Sequence, residues 1–159
     1  MDLPGCVVFE PRVFEDERGS FHESFNQEKL SEFGLKPVFV QGNQSTSRRG
    51  VLRGLHFQWP HPQGKYLSVH EGEIWDVVVD VRKGSPTFSR WAAVVLSEQA
   101  VVSYLCTATY DPTAETAVRW NDPALAIDWP VSDPTLSCKD AKALPLGDIA
   151  QDRLPSFEA

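Results

Sequence analysis

Arg53 and His56 stand three positions apart in the stretch GVLRGLHFQ, residues 50–58, among Val51, Leu52, Leu55 and Phe57. An apolar run needs a reason to hold a cation and an imidazole so close, because an uncompensated guanidinium is expensive to bury. Strand alternation alone puts residues 53 and 56 on opposite faces. Gly54 lies between them, and a glycine permits a bulge or a strand start that brings both side chains to one cavity. There an imidazole suits general acid–base chemistry near neutral pH. The competing reading is a hydrogen-bonded core histidine, and the two are evenly matched on these residues alone.

Three further residues have types that suit the same chemistry. Asp140, in LSCKD, is a carboxylate that can orient a histidine base or cap a helix. Lys65, in PQGKYL, opens an expected strand, where it either stabilises an oxyanion or is a surface lysine. Tyr104, in VVSYLC, is a core aromatic or an acid facing a cavity. A metal centre is not expected. His22, His61 and His70 are scattered, His56 has no HxH partner, and three convergent ligands are hard to assemble. Cys6, Cys106 and Cys138 lie far apart without CxxC spacing, which implies reduced thiols and a cytoplasmic setting.

These residues need a scaffold. The 159 residues suit a single domain spanning 1–159, and 42% hydrophobic with 23% charged residues is an ordinary globular balance. A net charge of -7 argues against nucleic acid as a partner. Arg53 and Lys65, with Arg18 upstream, nevertheless form a local basic set that suits a small anionic ligand such as a phosphate ester. Arg48 and Arg49 read as a solvated turn. No apolar run approaches membrane-spanning length, and the opening MDLPGCVVFEPRVFEDERG has no secretory-signal pattern.

The clearest helix is NQEKLSEFGL (26–35), with Asn26 as N-cap and Gly34 as its stop. A short helical turn is expected in SCKDAKAL. Elsewhere short β-branched and aromatic runs alternate with turn residues: KPVFVQ, GVLRGLHFQ, GKYLSVH, EIWDVVVDVR, RWAAVVLS, QAVVSYLCT and ETAVRW. In IWDVVVDVR, Trp75, Val77, Val79 and Val81 share one face, and Asp76 and Asp80 lie on a wetter one. The pattern implies an all-β, antiparallel jelly-roll barrel with a ligand at its mouth.

Seven segments carry a resemblance over nearly the whole chain: VFEDERGSFHESFN (13–26), VQGNQSTSRRGVLRGLHFQ (40–58), QGKYL (63–67), GEIWDVVVDVRKGSPTFSRW (72–91), YLCTATYDP (104–112), RWNDPALAIDWP (119–130) and LSCKDA (136–141). The chain resembles the dTDP-4-dehydrorhamnose 3,5-epimerase family. The resemblance implies a cupin-like homodimer without cofactor or metal, acting on a dTDP-4-keto-6-deoxyhexose. It implies His56 as base, Asp140 as its dyad partner, Lys65 as enolate stabiliser and Tyr104 as the acid on the opposite face. It assigns Arg18, Phe21, Glu23, Gln41, Asn43 and Arg53 to the nucleotide, diphosphate or sugar, and Tyr110 to the nucleotide. Arg18 to Glu23 would serve the neighbouring subunit's site.

The chain departs from the family pattern once. After the strand ending in LS the family has two further strands around a segment like PxGFAHGF. Here AAVVLS (92–97) runs straight into EQAVVSYLC (98–106). Roughly twenty residues are absent, enough for two strands and a turn, including a histidine of the family's sugar site. A barrel with a gap or a shortened sheet is expected. The alternatives to an epimerase are a nucleotide-sugar-binding homologue with little turnover and, well behind, a metal-dependent barrel enzyme.

Overall fold

A computed structural model describes residues 3–157, except that the side chains of 96–100 within one strand lie outside the description. The chain forms the antiparallel, cupin-like jelly roll that its strand spacing implies, with short helical turns at the periphery. An exposed hairpin of β1 (Val13–Asp16) and β2 (Gly19–His22) pairs only with itself. The helix α1 (Gln27–Glu32) starts where expected: Asn26 Oδ1 accepts from the amides of Glu28 and Lys29 at 2.9 and 3.2 Å. It stops before Gly34, whose φ of 75° suits a residue without Cβ. Next come β3 (Gln41–Thr46), β4 (His56–Gln58), β5 (Lys65–Val79), β6 (Trp91–Cys106) and β7 (Glu115–Ala117). One sheet has the order β3-β6-β5 and another pairs β4 with β7. Among the described residues no helix is long and apolar enough to cross a membrane.

The turn expected at HEGE is absent. GKYLSVH and EIWDVVVDVR are one strand, β5, rather than two separated by HEGE. Gly72 adopts a φ of 82°, and register shifts fall between Val69 and Glu71 and between Glu71 and Glu73. These bulges bend the strand without reversing it. RWAAVVLS and QAVVSYLCT likewise merge into β6, so the expected shortened sheet takes the form of two long strands paired end to end. The join after Ser97 falls among the residues whose side chains lie outside the description. KPVFVQ yields strand only from Gln41, and ETAVRW only over β7.

GVLRGLHFQ is a strand only from His56 onward. Gly54, at a φ of 148°, ends the preceding loop, and Val51 makes a lone bridge to Thr135. The glycine therefore starts a strand rather than bulging one. Behind β4 lies the apolar core of Val118, Leu125, Leu146, Ile149 and Leu154, against which Leu55, Phe57, Val79 and Val81 pack. Leu146, Ile149 and Leu154 of this core lie in or just after the 3₁₀ turns 146–148 and 151–153, so the C-terminal segment helps back β4. On the other side Phe9, Phe25, Phe39 and Tyr66 cluster, and the Tyr66 hydroxyl donates to the Ser24 carbonyl at 2.6 Å.

The expected wetter face of β5 needs correction. Asp76 is half-buried, and burial pushes its carboxyl up, with Lys65 opposing. Asp80, just beyond β5, is fully buried. It accepts from Arg82 Nε and Nη2 at 2.8 Å each, from Ser85 Oγ at 2.6 Å and from Thr87 Oγ1 at 2.7 Å, which shapes the β5–β6 connection. Burial alone would raise its carboxyl, but the Arg82 guanidinium and the two hydroxyls outweigh that and hold it well below the usual range. The sign follows: a carboxyl lower in the folded than in the unfolded chain stabilises fully above its unfolded value, about 3.9, and loses that contribution as pH falls. Replacing Asp80 by Asn strips a buried partner from Arg82 and is expected to cost about 3 kcal/mol. Urea unfolding across pH 2–7 checks both points: D80N lowers stability at pH 7, and its curve falls less steeply below about pH 4.

Candidate active site

His56 and Phe57 are neighbours on β4, so packing Phe57 on the core sends the imidazole to the opposite face. Asp140 reaches it from 84 residues away, where it opens the turn 140–142. Asp140 Oδ1 lies 2.5 Å from His56 Nε2, and Oδ2 accepts from Ser137 Oγ at 2.9 Å. The Ser137 oxygen in turn accepts the Asp140 amide at 3.1 Å. The carboxylate side chain is 3% exposed and the imidazole 27%. An ionised carboxylate can only accept, so Nε2 donates, and in the neutral imidazole Nδ1 is then the acceptor. Asp140 is thus a histidine-orienting carboxylate and not a helix cap.

The structure adds residues that the sequence left without a role. Glu115, on β7, places Oε1 4.0 Å from His56 Nδ1. Its Oε2 accepts from the Tyr110 hydroxyl at 2.7 Å and pairs closely with Lys139 Nζ. Burial raises the Glu115 carboxyl, but Lys139 and Tyr110 outweigh it and hold the group below its usual range. Arg153 secures this edge by donating to the carbonyls of Thr113 and Glu115 at 2.9 Å each. Lys139 had one available signal, its place beside Asp140 in LSCKD. Glu115 had none, because β7 is three residues long and its partner strand lies far off in sequence.

The β3-β6-β5 sheet supplies a second group. Gln41, Cys106 and Lys65 stand in one row across the three strands, and Asn43, Tyr104 and Leu67 in the next. Paired residues and their second neighbours share a face, so the expected Lys65, Tyr104, Gln41 and Asn43 come together. Lys65 Nζ is 5.6 Å from the centre of the Tyr104 ring. Burial pushes the Tyr104 phenol up; Cys106 and Glu115 add to the shift, and Arg53 opposes it. The two sheets therefore act on one hydroxyl. Arg53 is exposed at the end of β3, donating to Ser47 Oγ at 3.0 Å and to the Thr46 carbonyl at 3.4 Å. Tyr110 borders an open cavity of about 590 Å³ lined also by Val40, His61, Ala108 and Pro112.

Arg18, Phe21 and Glu23 do not join this group within the single chain. Arg18 pairs with Asp16 at 2.5 Å, Glu23 pairs with Lys29 at 2.7 Å, and Phe21 is 70% exposed on the hairpin. Among the described residues, no three His, Cys, Asp or Glu side chains converge as metal ligands.

Comparison with known proteins identifies the family. The family profile described as dTDP-4-dehydrorhamnose 3,5-epimerase matches residues 1–100 and 92–148. The two stretches overlap on 92–100, so part of β6 answers to two places in the family. A dTDP-4-dehydrorhamnose 3,5-epimerase of Methanothermobacter thermautotrophicus is 43% identical over 168 positions, covering 91% of each chain. Those positions outnumber the 159 residues present here, as expected if a segment is missing. A Legionella pneumophila dTDP-6-deoxy-D-glucose-3,5-epimerase, solved with dTDP-4-keto-L-rhamnose, superposes with a TM-score of 0.90 at 42% identity, covering 94% of this chain and 92% of that one. A 3'-monoepimerase of Streptomyces bikiniensis, solved with dTDP-quinovose, gives 0.85 at 36% identity, covering 93% and 87%. With His56 bonded to a buried Asp140, with Lys65 and Tyr104 gathered on the three-stranded sheet, and with matches along nearly its whole length, the chain belongs to the dTDP-4-dehydrorhamnose 3,5-epimerase family.

Proposed function

We propose that the protein epimerises a dTDP-4-keto-6-deoxyhexose at C3 and C5, without cofactor or metal, in cytoplasmic deoxysugar biosynthesis of the dTDP-rhamnose type. The observation that carries this reading is the 2.5 Å His56–Asp140 pair, with Lys65 and Tyr104 brought together on the three-stranded sheet. A C4 ketone acidifies the C–H bonds at C3 and C5. His56 Nδ1 takes a proton, and Asp140 balances the charge that develops on the ring. The Lys65 ammonium stabilises the enolate oxygen. Tyr104 returns a proton to the other face, which inverts the carbon. Its raised phenol keeps the proton at neutral pH until the carbanion needs it. Arg53 answers the diphosphate, Tyr110 and its cavity take the nucleotide, and Gln41 and Asn43 belong to the binding surface along β3.

The test is proton exchange. The protein is incubated with dTDP-4-keto-6-deoxyglucose in heavy water, and C3 and C5 are followed by NMR. Deuterium is expected at both carbons, slowed about 10²- to 10⁴-fold in His56→Ala and about 10²- to 10³-fold in Lys65→Met. Tyr104→Phe is expected to separate the two half-reactions, keeping exchange while losing inversion. Label at C3 alone marks a 3-epimerase. Unlabelled substrate that still binds would overturn the reading in favour of a binding protein.

The hairpin residues complete the proposal. The chain acts as a homodimer in which Arg18, Phe21 and Glu23 serve the partner's site. Their exposure, and the pairing of Arg18 and Glu23 with nearby residues of the N-terminal segment, support this. Two inactive variants, Arg18→Ala and His56→Ala, are expected to regain activity when mixed and allowed to exchange subunits, because one site of each hybrid then holds both residues. Failure of the mixture to exceed its components would place Arg18 in its own chain's site instead.

A further inference from the structure

Tyr110 sits on a loop, yet it is tethered at both ends. Its hydroxyl donates to Glu115 Oε2 at 2.7 Å, and its backbone amide donates to Gln41 Oε1 at 2.8 Å. A backbone N–H cannot accept, so it fixes which end of the Gln41 amide is oxygen. The Gln41 nitrogen must then find an acceptor, and donates to Asn43 Oδ1 at 3.0 Å. That in turn directs Asn43 Nδ2 away, and it donates to Cys106 Sγ at 3.7 Å. Cys106 is 1% exposed in the middle strand of the sheet. The chain of bonds has one possible direction, from Tyr110 to a buried thiol.

We propose that Gln41, Asn43 and Cys106 are positioning residues that hold Tyr110, and through its hydroxyl Glu115, in place beside His56. Glu115 lies 4.0 Å from Nδ1 of that ring. Gln41 and Asn43 use their amides on each other, on the loop and on Cys106, which fixes the Tyr110 ring beside the binding surface. Cys106 is the fixed end of the relay. A thiol is a weak acceptor, but one aligned in a buried site is enough to choose between two amide orientations.

The direct test needs no substrate. Amide hydrogen exchange of the free, full-length protein is read by ¹⁵N NMR. In Cys106→Ala the Tyr110 backbone amide is expected to exchange about threefold to tenfold faster, the equivalent of one net hydrogen bond, and the Asn43 side-chain amide resonances shift. The Val118 amide, in the other core, reports any general loosening and is expected to stay unchanged. Asn43→Ala gives the same acceleration at Tyr110, and combining it with Cys106→Ala adds nothing further. Cys106→Ser, which restores an acceptor, returns Tyr110 toward wild-type exchange. Unchanged Tyr110 exchange in Cys106→Ala overturns the relay, as do additive effects in the double variant or equal acceleration at Val118. The consequence for binding rests on the epimerase reading and is measured with dTDP. Affinity about threefold to tenfold weaker in Cys106→Ala supports it, and unchanged affinity overturns that consequence. A wild-type chain that binds no dTDP sinks the epimerase reading while leaving the exchange result to stand.

Discussion

A carboxylate that is 3% exposed must be compensated, and the fold around Asp140 follows from that need. Removing an ion from water costs several kcal/mol, and a buried carboxylate left without partners is strongly destabilising. Asp140 has two, the Ser137 hydroxyl and the His56 imidazole. The first is local, three residues back, and sets the turn. The second joins the C-terminal segment to β4 across 84 residues. The same bond that satisfies the acid orients the imidazole, since in the neutral ring donating Nε2–H makes Nδ1 the acceptor. Stability and chemistry thus make the same demand on this pair. Phe57, next to His56, packs on the apolar core to which Leu146, shortly after Asp140, belongs.

The shortened segment touches a different part of the molecule. On β5 the paired residues step from Glu71 to Glu73, while their partners on β6 step from Val101 to Ser97. The surplus residues of β6 fall at the join, opposite the bulges of β5. The irregularity is absorbed where the sheet is already bent, and pairing resumes on both sides. Lys65, Tyr104 and Cys106 lie in the resumed register, with Tyr104 opposite Leu67 and Cys106 opposite Lys65. The rows that gather these side chains depend on that register alone. A one-residue slip would turn every one of them to the other face, whereas extra or missing residues beyond the bulge would not.

How much of this was legible in the sequence depended on separation along the chain. The cap of α1 at Asn26 and the glycine just before β4 are local patterns, and both appear as read. The HEGE turn misled because Gly72 and its neighbours carry turn chemistry that a bulge uses equally well. Asp80 misled because alternation predicts a side, not the solvent it meets; Arg82, Ser85 and Thr87 fold back over it within seven residues. Residue types made His56 a plausible base, and resemblance assigned Asp140 as its partner, but no pattern could bring positions 56 and 140 together. Glu115 was invisible for the same reason, being defined by what surrounds it and not by its neighbours in sequence.

The site is carried by two supports that share little chain. His56, Glu115, Lys139 and Asp140 are held by the β4–β7 pair and the C-terminal core, and Gln41, Asn43, Lys65, Tyr104 and Cys106 by the three-stranded sheet. A reaction that removes a proton from one face and returns it to the other needs groups with such independent supports, since neither should move when the other does. It also needs their spacing fixed. Tyr110 meets both, through its amide to Gln41 on the sheet and its hydroxyl to Glu115 on the other body. A rigid ring with polar groups at either end spans that gap better than a flexible chain would, because fewer rotors have to be ordered. One aromatic side chain on an exposed loop thus bonds to both supports.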